Sequence, residues 1–152
     1  MIFIIIAAII FAADLLIKNK ISVMSADAFP KRAGKYFNIE RTYNSGFAGS
    51  LMDKRPETVK STVFLATTVM CIGSIPYVIF ARKRNVTRTG LALMMGGAAS
   101  NAADRKYRGH VVDYLRTVNP KTGRKGRFIF NFSDACIGVG SFLVLIGRIF
   151  KK

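Results

Sequence analysis

After Glu57 the chain has three carboxylates, Asp104, Asp113 and Asp134, against 16 lysines and arginines in the same 95 residues. Each stands beside an apolar stretch, in Asn101-Ala102-Ala103-Asp104-Arg105, Val111-Val112-Asp113-Tyr114 and Phe130-Asn131-Phe132-Ser133-Asp134. Ionisable groups close to hydrocarbon are costly and usually face a cavity or a partner. Two aspartates meeting in one pocket cannot both ionise easily, so they share a proton. Such a pair can take a proton from water with one carboxylate and donate one with the other.

Each motif also has a plainer explanation. Asn101, Asp104 and Arg105 share one helix face by their i, i+3, i+4 spacing. The small residues Gly96-Gly97-Ala98-Ala99-Ser100 before them let a neighbouring helix come close. An Asp–Arg pair at a helix end would explain as much, with Arg105 favouring an ionised Asp104. Asp113 could be a solvated loop residue, although Val111, Val112, Tyr114 and Leu115 around it point to a segment lying against the membrane surface. Ser133 could cap a helix whose first turn holds Asp134, where a carboxylate favours the helix dipole. Asn131 is then a turn residue.

Further polar candidates lie upstream. Asp14 interrupts an apolar run, with Lys18 one helical turn on, and an acid there needs a partner. Asn44 stands in the turn Asn44-Ser45-Gly46, as a plain loop residue or as a donor to a substrate backbone. His110, the single histidine, reads as a surface or packing residue.

These residues must be positioned by apolar blocks, which account for the 51% hydrophobic content. Four can be drawn, over 1–17, 59–81, 89–103 and 133–150, and they predict a mainly α, polytopic membrane protein with four transmembrane helices. At 1.5 Å per residue a 17-residue block spans about 25 Å, short of the ~30 Å hydrocarbon core. Flanking Lys and Arg must snorkel, or the bilayer must thin. The first block has no basic residue ahead of it, and Asp14 falls where a small-residue cleavage site belongs, so it is expected to be an uncleaved anchor. Between the blocks, Tyr36–Tyr43 alternates as a strand and Arg127–Asn131 reads as a second, after a turn at Asn119–Gly123. Residues 1–152 are expected to form one domain.

The net charge of +16 suits nucleic acid or anionic lipid headgroups, and the apolar blocks favour lipid. Aromatics in the basic segments are scattered and form no stacking platform for nucleic acid. Cys71 and Cys136 lie in apolar blocks and suggest packing, not a disulfide. No metal-ligand spacing is present. Four spans put both termini on one side with the dense basic loop Arg82–Arg88 and the tail Arg148, Lys151, Lys152, which favours a cytoplasmic N-terminus. The opposite segments nevertheless hold 17 basic residues against seven.

In order, Asp14 with Lys18, Asn44-x-Gly46, Asn101-x-x-Asp104-Arg105, Val111-Val112-Asp113 and Phe130-Asn131-x-x-Asp134 resemble the motif series of the bacterial lipoprotein signal peptidases, the signal peptidase II family. The resemblance implies a four-helix membrane aspartyl endopeptidase of the cytoplasmic (inner) membrane. Its site would face the outer side, beneath a small extramembrane β cradle. It implies Asp113 and Asp134 as the catalytic pair, supported by Asn101, Asp104, Arg105 and Asn131. Asp14 and Asn44 would shape the pocket or bind in it, and Gly97 would allow close helix packing. The implied substrate is a diacylglyceryl-modified prolipoprotein, cut before its lipid-modified cysteine, by a monomer among membrane lipids with neither metal nor cofactor.

The chain departs from the family pattern at Leu15, where Gln is usual, at Ser100, where Gly is usual, and in Phe47-Ala48-Gly49. Three other readings stand beside this one. They are a non-catalytic scaffold for anionic lipid or partner helices, a membrane-tethered RNA binder, and an inactive family member.

Overall fold

A computed structural model of the chain describes residues 1–45, 56–81 and 83–150. Arg82, the stretch from Gly46 to Gly49 and the tail Lys151-Lys152, all used above, lie outside the described residues. Among the described residues, four helices appear in chain order: α1 (Ile2–Val23), α2 (Pro56–Phe80), α3 (Asn85–Arg108) and α4 (Phe132–Ile149). Four strands, β1 (Lys31–Ala33), β2 (Phe37–Asn44), β3 (Val111–Val118) and β4 (Lys125–Phe130), form one antiparallel sheet in the order β1-β2-β3-β4.

Among the described residues, three helical segments, Ile2–Val23, Ser61–Phe80 and Phe132–Ile149, are long and apolar enough to cross a membrane. Their outer faces carry Ile5, Ile9, Leu65, Val69, Phe142 and Leu145, all exposed. A belt of that kind suits lipid tails and not water. The expectation of four such helices is met by three, because α3 is too polar to qualify by composition. Helix α3 is instead the packed centre of the bundle, in contact with α1, α2 and α4.

Two helices outrun the apolar blocks that predicted them. The first block stops at residue 17, yet α1 continues to Val23 because Lys18 is fully buried inside the fold. The third block stops at residue 103, yet α3 continues to Arg108 because Asp104 and Arg105 turn inward. Gly109 ends α3 at φ 79°, a left-handed position that favours glycine, and its N–H bonds back to Arg105 O.

Close approach of α3 to α4 depends on glycines. A Cβ on Gly97 would lie 2.6 Å from Ser133 O, and one on Gly90 would lie 2.6 Å from Gly140 O.

The two expected strands are present, as β2 and β4. The central strand β3 was not expected: Val111, Val112 and Asp113 pair with Asn44, Tyr43 and Thr42 of β2, and from Leu115 on the strand also pairs with β4. Val112 and Tyr114 pack on Ile21 at the end of α1, so this face of the sheet closes one end of the bundle. Arg41 of β2 ties the same corner, its guanidinium donating to Ser22 O at 3.1 Å and Met24 O at 2.6 Å.

Candidate active site

Where sheet and bundle meet, the polar residues singled out above converge. Asp14, Lys18, Ser100, Asn131 and Ser133 are completely buried, and Asp104, Asp113, Asn101 and Arg105 are nearly so. Buried polar groups must satisfy one another, and their pairing falls into two layers.

The deeper layer is built on Lys18. Its ammonium lies 2.7 Å from Asp14 Oδ2 and 3.2 Å from Asp104 Oδ2. It also donates to Asn101 Oδ1 at 2.7 Å and Ser100 Oγ at 3.3 Å. Asp14 Oδ2 accepts from both Ser100 and Ser133 hydroxyls at 2.6 Å, and Oδ1 accepts from the Tyr114 phenol at 3.1 Å. Burial, with the Asp14 charge beside it, raises the Tyr114 pKa, so the phenol stays a donor. Asp104 accepts from Arg108 at 2.7 Å and from the Val112 backbone at 3.1 Å. The cation role expected of Arg105 toward Asp104 is thus taken at close range by Lys18 and Arg108.

The outer layer is built on Asn131. Its amide donates to Asp113 Oδ1 at 2.7 Å and to Asn101 Oδ1 at 3.2 Å. Its Oδ1 accepts from the Asp134 N–H at 2.9 Å, while its own N–H donates to Asp134 Oδ2 at 3.1 Å. Those last two bonds form a capping box, which makes Asn131 the N-cap of α4. Ser133, expected to cap that helix, bonds to Asp14 instead, because it already lies inside the first turn. Asn101 donates to Asp134 Oδ1 at 2.8 Å, and Asn44 donates to Asp113 Oδ2 at 3.0 Å. One asparagine therefore bonds both carboxylates. Arg105 lies within electrostatic reach of Asp113, Asp134 and Asp104.

Burial pushes the Asp113 carboxyl up to about 6, and the neighbouring Asp134 charge adds to the rise. The amides of Asn44 and Asn131 favour the ionised form and restrain it. A carboxyl at that value can hold or release a proton near neutral pH.

The two aspartates open onto different cavities. Asp134 lines one of about 360 Å³ between α2, α3 and α4, with Val63, Ala66, Met70, Ala98 and Ile137. Asp113 lines one of about 280 Å³ on the sheet, with Thr42, Tyr43, Asn44, Arg116 and Arg127. The first wall is mostly apolar and the second mostly polar.

All nine candidate site residues fall in this region or on its supports, with Gly97 at the α3–α4 contact. His110 stands apart, its ring against Tyr43 at 4.4 Å. Composition and spacing did not reveal the parts played by Lys18, Ser100, Tyr114 and Ser133. Only the Asp14–Lys18 spacing carried a signal. Ser100, where the family pattern has Gly, is absorbed as a donor to Asp14.

Fold and cluster together define a helical-bundle membrane protein with a buried polar cluster, holding Asp14, Asp104, Asp113 and Asp134, at one end of the bundle. The chain matches the model of the family "Signal peptidase (SPase) II" over residues 6–150 and belongs to that family. It is 33% identical over 119 residues to a lipoprotein signal peptidase of Mesorhizobium japonicum, covering 75% of this chain and 65% of that protein. It is 28% identical over 152 residues to one of Francisella tularensis subsp. novicida, covering 97% and 91%. A solved bacterial membrane enzyme shares the fold with a TM-score of 0.79 at 23% identity, over 97% of this chain and 87% of the other. A second such structure has a TM-score of 0.77 at 23% identity, over 99% and 94%.

Proposed function

We propose that residues 1–152 form one aspartic-type endopeptidase domain that removes signal peptides from prolipoproteins, cutting before the lipid-modified cysteine. Asp113 and Asp134 are the catalytic pair. The observation that carries this reading is the shared asparagine: the Asn131 side chain bonds one carboxylate and its backbone bonds the other.

Charge balance supports a singly protonated pair. In the deeper layer Asp14 and Asp104 face Lys18 and Arg108. In the outer layer burial and the neighbouring Asp134 charge both work against ionising Asp113, so one proton shared by the pair suits the site. The ionised member takes a proton from water as that water attacks the scissile carbonyl. The protonated member donates to the carbonyl oxygen, and a proton then passes to the leaving amine as the C–N bond breaks. The titration belongs to the pair and not to either residue alone.

Helix α3 serves as a fourth span. Its 24 residues rise about 36 Å, and its polar groups are tolerated because the other helices surround it. With both termini cytoplasmic, the sheet and the site face the outer side of the cytoplasmic membrane. Signal helix and acyl chains enter laterally from lipid through the apolar cavity beside Asp134. Every proposed site residue comes from one chain, so a monomer suffices. Asn101, Asn131 and Asn44 orient the carboxylates, and Asp104, Asp14 and Arg105 balance their surroundings.

The test is a gel-shift cleavage assay on purified protein in detergent, with a diacylglyceryl-modified prolipoprotein and its unmodified form. Cleavage of the modified form alone is expected. No cleavage of either by folded protein, beside an active reference peptidase, would overturn the reading.

A further inference from the structure

The cavity on the sheet is lined by a cation, Arg127, that no carboxylate among the described residues pairs. The β3–β4 hairpin carries Arg116, Lys121, Arg124, Lys125 and Arg127, and its one acid is Asp113. Glu40 of β2 reaches across to it and is used up there, 2.7 Å from both Arg116 and Lys125. Arg116 is further held by Gly126 O at 2.8 Å. Arg127 is exposed and lines the same cavity as Asp113, with its guanidinium against the ring of Phe128. Among the described residues it has no carboxylate partner.

Basic residues normally collect on the cytoplasmic side of a membrane protein. A cationic hairpin at the opposite end works against that tendency, which points to an anionic partner. Its position identifies the partner. A peptide bond presented to both aspartates has its upstream, membrane-held side in the apolar cavity of Asp134. Its downstream side then runs over the polar cavity of Asp113, past Arg127.

We propose that Arg127 is a specificity-determining residue that favours an acidic side chain in the substrate segment just after the cut and disfavours a basic one. This deepens the peptidase reading and rests on it. A partly exposed ion pair contributes modestly and is screened by salt. The expected preference for Asp over Asn is therefore about threefold to fivefold in kcat/KM at low ionic strength.

The experiment uses full-length protein in neutral detergent. Diacylglyceryl prolipoproteins carry Asp, Asn or Lys at each of the first four positions after the cysteine in turn. Wild type should rank Asp above Asn above Lys at one position or more. In Arg127→Gln the Asp-to-Asn ratio should fall to about one, and in Arg127→Glu the ranking should reverse. Arg124→Gln, away from the cavity, should keep the wild-type ratio. A wild-type ratio of one at all four positions, or a preference that survives Arg127→Gln, overturns the inference. An equal loss for all substrates in Arg127→Gln, seen only in vesicles containing phosphatidylglycerol, would assign the residue to lipid headgroups and overturn it too. Failure of wild type to cut any substrate would instead bring down the peptidase reading itself, and the inference with it.

Discussion

The Lys18 ammonium lies 2.7 Å from Asn101 Oδ1, and that contact decides which way the Asn101 amide faces. An ammonium has donors only. The amide oxygen must therefore turn toward Lys18, which leaves Nδ2 to donate to Asp134 Oδ1 at 2.8 Å. A buried ion cluster at the base of the site is coupled in this way to the orientation of a carboxylate above it.

Lys18→Met should therefore affect both stability and turnover. Asp14 and Asp104 would lose their shared cation, and breaking a buried pair costs about 3–5 kcal/mol. Thermal unfolding in detergent should show that loss. In whatever protein stays folded, kcat should fall more than KM rises. Adding Asn101→Ala should then cost far less kcat than it does in wild type, because the two changes remove one path. Full additivity would show that Lys18 does not act through Asn101.

The raised Asp113 carboxyl sets the expected pH dependence. Activity needs one proton on the pair, and the pair loses it as pH rises through about 6. The alkaline limb of kcat/KM for the free enzyme should centre near that value. Asn44 donates to the ionised form of Asp113. Asn44→Ala removes that support and should move the alkaline limb to higher pH. A shift to lower pH would contradict the bond's direction.

Helix spacing gives a steric test. A side chain at Gly97 would meet Ser133 O, so Gly97→Val should force α3 from α4 and separate Asn101 from Asp134. Overpacking of this kind costs about 1–3 kcal/mol, and activity should fall with it. A Cβ at Gly138 meets nothing within 4 Å. Gly138→Ala should leave activity intact and gain up to about 1 kcal/mol from helix propensity. Equal behaviour of the two variants would rule out the close α3–α4 contact.

How far the sequence foretold this site depended on how local each relationship is. Asp14 and Lys18 are one turn apart, so their pairing was visible, as was the shared face of Asn101, Asp104 and Arg105. The capping box of Asn131 and Asp134 is equally local, but Ser133 offered a competing cap. Ser133 lies inside the first turn, with Asn131 at the cap, and its hydroxyl goes to Asp14. Strand β3 escaped because Val111-Val112-Asp113-Tyr114 has no alternation; it is covered by β2 and Ile21, both distant in sequence. Helix α3 ran past its apolar block for a similar reason, since Asp104 finds Lys18 across 86 residues.

The most direct measurement is cleavage of a diacylglyceryl-modified prolipoprotein by Asp113→Asn and Asp134→Asn, each beside wild type. Thermal unfolding of every sample would confirm the fold. An Asp-to-Asn change keeps the shape and removes the titrating proton, but its NH2 group faces one donor that the carboxylate accepted. Both variants should remain folded and lose cleavage completely. Wild-type turnover in either folded variant would show that these two aspartates are not the catalytic pair.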